Sequence, residues 1–119
     1  MLSLVTSQLL GSRTPGNDGP TATPRFPAAY AEVIAVTAVG AGGEAYRQAG
    51  RGPHVELAAP GVDVLVADAR DPANRRALSG TSYAAPYVTA AAGVLAARSP
   101  SSVQAVRARL LATASDLGA

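Results

Sequence analysis

The stretch SGTSYAAPYVTAAAGVLAA, residues 79–97, decides how this chain is read, because it places a hydroxyl, that of Ser82, at the mouth of an apolar helix. The first turn of a helix leaves backbone N–H groups without intrahelical partners and carries roughly half a positive charge from the macrodipole, so negative charge beside Ser82 is stabilised. Gly80 permits the close backbone approach that such a site needs. The same residues also fit a plain N-cap, with Thr81 or Ser82 satisfying the helix start and nothing more.

Outward from the helix the pattern is that of an α/β domain. Val33 to Val39 is a short β-branched run bounded by turn residues, which predicts a strand buried on both faces, as parallel strands are. His54 to Ala58 and Val62 to Val66 are two further strand candidates around Ala59-Pro60-Gly61, a tripeptide that punctuates rather than continues a strand. Arg76-Ala77-Leu78 is a short extended piece delivering Ser79-Gly80 to the helix. Within the helix, Ala84, Val88, Ala91 and Leu95 fall on one face, and Pro86 is tolerated near the first turn. A second helix follows Pro100, with Ser101 and Gln104 as a capping box, Val103, Val106 and Leu110 as its buried stripe, and Arg107 and Arg109 toward solvent.

Ser79-Gly80-Thr81-Ser82-Tyr83-Ala84-Ala85-Pro86 closely resembles the nucleophile motif of the subtilisin-like serine proteases. Three other segments follow that family's order. Gly16-Asn17-Asp18-Gly19-Pro20 is similar to its oxyanion segment. Phe26-Pro27-Ala28-Ala29-Tyr30 with Val33-Ile34-Ala35-Val36 resembles the loop and strand after it, where a cis peptide bond often precedes the proline. Leu57-Ala58-Ala59-Pro60-Gly61 resembles the run before the nucleophile. The likeness divides the chain into a poorly matching segment, 1–10, and a partial peptidase domain, 11–119. The family departs from this chain before Asn17, where Leu9 to Pro15 is not a smooth apolar strand, and at Tyr87, where a noncatalytic histidine is usual.

The resemblance implies an α/β fold with a mostly parallel sheet flanked by helices, and peptide-bond hydrolysis by a serine nucleophile. It assigns Ser82 as nucleophile and the Asn17 amide, with the Ser82 N–H, as oxyanion donors. Gly16, Gly80 and Thr81 become substrate-binding positions. The family's histidine and aspartate motifs occur nowhere here, and the single histidine, His54, stands at the start of a strand as a structural residue. A serine hydroxyl without a base stays protonated and is a weak nucleophile. The expectation is therefore a protease fragment lacking its acid and base, or else a noncatalytic remnant or binding module; its partners are a polypeptide substrate and the missing N-terminal part of the domain.

Composition narrows the remaining classes. The chain has 119 residues, a formal net charge of +2, and ten basic residues, all arginine and scattered without interleaved aromatics. That is a poor nucleic-acid footprint. With no cysteine there is neither a disulfide framework nor a thiolate zinc site, and no carboxylate cluster or other feature calls for a metal or cofactor. The uncharged run from Ala77 to Ala97 reads as a buried helix rather than a membrane span. Met1 to Leu4 carries no export signal, although the family is usually secreted. Alanine dominates the apolar content, with one Phe and four Tyr, so each buried position removes little area from water and marginal stability is expected.

Overall fold

The computed structural model describes residues 11–13, 17–21, 33–99 and 102–117. Gly16, the Phe26-Pro27 bond and residues 1–10 lie outside the described residues. Three strands, β1 (Gly11–Arg13), β2 (Val33–Val39) and β3 (Val55–Pro60), form a parallel sheet in that order. β4 (Val64–Ala67) and β5 (Arg75–Leu78) form a separate antiparallel hairpin. Two helices complete the chain, α1 (Thr81–Arg98) and α2 (Val103–Thr113).

The β-branched run of β2 makes it the central strand. Side chains alternate across a strand, so Ile34, Val36 and Ala38 share one face, and all three are buried against Ala84 and Val88 of α1. Ala35, on the opposite face, is equally buried. The two-sided burial expected of a parallel strand is therefore present. α1 lies over the sheet and touches all three strands, and α2 packs on α1 and brings Leu110 to the core.

Four local expectations are corrected. β3 runs on through Ala59 and Pro60, its last residue, which lies opposite Val39; proline lacks an N–H but is tolerated at the end of an edge strand. The buried face of α1 is Thr81, Ala84 and Val88, while Ala91 is exposed, and Pro86 sits in the second helical turn rather than the first. The cap of α2 is Ser102, whose hydroxyl accepts from the Ala105 N–H at 3.2 Å; Ser101 lies outside the described residues. Finally, Arg107 does not point to solvent. One of its guanidinium nitrogens donates to both carboxylate oxygens of Glu56 at 2.5 and 2.7 Å, tying α2 to β3.

Candidate active site

The helix mouth is assembled by backbone contacts that begin at Gly61, just past the end of β3. Its N–H donates to the Val39 carbonyl at 3.0 Å, and its own carbonyl accepts from the Gly80 N–H at 2.8 Å. A side chain at Gly61 has no room: its Cβ would stand 2.6 Å from the Ala38 Cβ and 2.8 Å from the Gly80 oxygen. Glycine at 61 is thus what lets the loop that leads to Ser82 sit on the sheet. The hairpin is fastened at the same place, since the Ser79 hydroxyl accepts from the Asp63 N–H at 2.9 Å. Asp63 has a φ of 53°, the left-handed region that Asp visits more readily than most residues.

Gly80 is the N-cap of α1 and offers no side chain to the first turn. Asn17 does so instead, from far along the chain. Its Oδ1 accepts from the Thr81 N–H at 3.0 Å and from the Thr81 hydroxyl at 3.1 Å. Two donors on one oxygen fix which way the amide faces, so Nδ2 is turned away from Thr81. A Cβ on Gly80 would lie 3.4 Å from Ser82 Oγ and 3.5 Å from Asn17 Nδ2. The hydroxyl oxygen and the amide nitrogen therefore flank one small space, which Gly80 leaves empty.

Ser82 is exposed beside that space, as the second residue of the helix. Its N–H has no acceptor among the described residues, as the helix start requires. An oxygen developing negative charge there would meet an amide N–H, a side-chain NH₂ and the positive end of α1. Thr81 is fully buried and its hydroxyl donates to Asn17. Its bonds to Oδ1 set the orientation of the Asn17 amide.

No histidine bonds to Ser82 among the described residues. Both ring nitrogens of His54 are buried without a hydrogen-bond partner, so His54 bonds neither Ser82 nor Asp63. Nor do the described residues gather three carboxylates or histidines that could hold a metal ion. The sequence reading missed Gly61, Ser79 and Asp63 as builders of the site. The signal was present in Ala59-Pro60-Gly61, read there as punctuation and as part of the run that precedes the serine motif, without a contact to Gly80.

A parallel α/β sheet roofed by a helix that opens on Gly-Thr-Ser defines the class. The chain matches the Subtilase family over residues 8–119 and belongs to it. It is 38% identical over 105 residues to subtilisin DY of Bacillus licheniformis, a match covering 87% of this chain and 37% of that protein. It is 39% identical over 94 residues to a halolysin-like extracellular serine protease of Natrialba magadii, covering 78% of this chain and 17% of the relative. A solved structure of the PatG macrocyclase in complex with peptide superposes with a TM-score of 0.73 at 29% identity, over 84% of this chain and 33% of that one. The chain thus spans little more than a third, at most, of the relatives named.

Proposed function

We propose that this chain is the C-terminal part of a serine endopeptidase domain, with residues 11–119 as its partial catalytic unit and Ser82 as its nucleophile. The observation that carries this reading is the shared space between Ser82 Oγ and Asn17 Nδ2 beside Gly80. A peptide carbonyl whose oxygen entered it would present its carbon to the hydroxyl. Ser82 Oγ bonds to that carbon, a base takes the hydroxyl proton, and the Ser82 N–H and Asn17 amide hold the oxyanion. The C–N bond then breaks as the base returns the proton to the departing amine, and water releases the acyl group from Ser82 by the reverse sequence.

The base must come from a polypeptide that completes the domain, since His54 is turned to no partner. Alone, the chain behaves as the noncatalytic remnant. Likeness to an extracellular protease of Natrialba magadii supports export as the setting of the complete enzyme.

A fluorophosphonate probe tests the reading. The isolated chain reacts slowly, and a completing polypeptide raises labelling that disappears in Ser82→Ala. Labelling that survives Ser82→Ala, or no labelling in the completed domain, would overturn it.

A further inference from the structure

The segment that carries Asn17 leans on a second turn, far along the chain. Gly19, two residues past Asn17, donates its N–H to the Gln48 carbonyl at 2.9 Å. Its φ of 100° lies in the left-handed region, which glycine enters freely. Gln48 belongs to a tight turn closed by the Ala49 N–H on the Tyr46 carbonyl at 3.1 Å, and Arg47 is the other corner residue of that turn.

The turn is firmly held. The Tyr46 N–H donates to the Ala38 carbonyl at 2.9 Å, the Tyr46 hydroxyl donates to Gln48 Oε1 at 2.8 Å, Ala49 is buried, and the Gly50 carbonyl accepts from the Thr37 hydroxyl at 3.3 Å. What this anchoring leaves outside is positive charge. Arg47 is exposed and makes no ion pair among the described residues, and Arg51, four positions on, is exposed as well. The neighbouring carboxylates are turned to other work: that of Glu44 folds over Gly40 and Gly42, and Asp18 has a partner of its own.

A guanidinium whose backbone is pinned beside the Asn17 segment can select charge in a bound peptide. Asn17 and Arg47 are joined by two residues of chain, one hydrogen bond and one further residue, which holds their Cα atoms no more than roughly 18 Å apart. About five residues of extended peptide span that distance. A peptide whose carbonyl occupies the space beside Gly80 and whose chain runs toward the turn brings one of its next few side chains to Arg47, whose planar fork matches a carboxylate. We infer that Arg47 is a specificity-determining residue, favouring peptides with an aspartate or glutamate within about five residues of the bond attacked by Ser82. What is cut rests on the nucleophile reading above; what is bound stands on the turn alone.

The test uses labelled peptides of one sequence, with glutamate, glutamine or lysine walked through the positions on either side of a fixed central bond. Binding to the Ser82→Ala form of the chain is read by fluorescence anisotropy, and cleavage by the completed domain as kcat/KM. At one position or more, glutamate should exceed glutamine by about two- to fivefold at low salt in both measurements, which is what an exposed ion pair supplies. The preference should shrink as salt is raised. Arg47→Gln should abolish it, and Arg47→Glu should turn it toward lysine at the same position. Arg109→Gln removes an equal charge from an exposed site on α2 and should leave it intact.

No glutamate preference in binding at any position would overturn the inference, as would one that Arg47→Gln leaves in place or that Arg109→Gln removes equally. Peptides that bind with the expected preference but are not cut by the completed domain uphold the role of Arg47 and sink the nucleophile reading. Cleavage that depends on Ser82 but ignores the glutamate does the reverse.

Discussion

Thr81 gives both its backbone N–H and its hydroxyl to a single oxygen of Asn17, 64 positions earlier in the chain. The pair caps a helix whose own N-cap, Gly80, has nothing to offer. It also fixes the amide so that its NH₂ faces the space beside Ser82, joining the capping of the helix to the placement of that amide through one side chain.

Two substitutions separate those functions. Asn17→Ala removes the acceptor and strands the buried Thr81 hydroxyl, which costs about 1–3 kcal/mol. Asn17→Asp keeps an acceptor and adds a negative charge at the positive end of α1, so stability stays the same or rises by a few tenths of a kcal/mol. Both lose the amide donor. Urea denaturation should thus rank Asp with the parent and Ala below it, while fluorophosphonate labelling of the completed domain falls in both.

Gly61→Ala should be among the most damaging single-methyl additions in the chain. The new Cβ would press on the Ala38 side chain and on the Gly80 carbonyl, a backbone atom that cannot swing away. Overpacking of this kind costs typically 1–3 kcal/mol. Adding Ala38→Gly relieves only the first of the two clashes, so thermal melts should show partial recovery. Full recovery would mean that the approach of Gly80 to Gly61 does not constrain the loop.

The sheet was legible because β2 concentrates its β-branched residues between turn signals, and the start of α1 was legible because Gly80 to Ser82 are contiguous with the helix they open. The phase of α1 was not. A helix of alanines has no contrast between faces, so Ala91 was placed inside and is exposed. Two adjacent serines gave no local reason to prefer Ser102 over Ser101 as the cap of α2. Arg107 finds Glu56 across 51 positions, a pairing that no window of sequence contains. The clamp of Thr81 on Asn17 is of the same kind: both residues were singled out, but the bond between them is a property of the fold.

The Glu56–Arg107 pair joins an edge strand to the last helix, and its side chains keep 21% and 28% exposure. Solvent screening at that exposure holds its contribution near 1 kcal/mol. Glu56→Gln and Arg107→Met should each lower stability by about that much, and the double variant by clearly less than twice as much, because the partner left behind no longer carries an unpaired charge. The coupling should shrink as salt is raised. Additive losses at all salt concentrations would show that the two side chains act independently.

Pro86 sets two opposed effects against each other. As the sixth residue of α1 it cannot donate an N–H back to the Ser82 carbonyl, and its ring crowds that oxygen; proline inside a helix costs about 3 kcal/mol relative to alanine. Against this, proline restricts the unfolded chain, which contributes about 0.4–1 kcal/mol to the folded state. The first effect is the larger, so Pro86→Ala should stabilise the isolated chain, by about 2 kcal/mol, in a urea titration. The same change lets the Ser82 carbonyl join the helix ladder. Because the Ser82 carbonyl is then drawn into the ladder, labelling of the completed domain should fall while stability rises; unchanged labelling would show that the free carbonyl does not set the Ser82 hydroxyl.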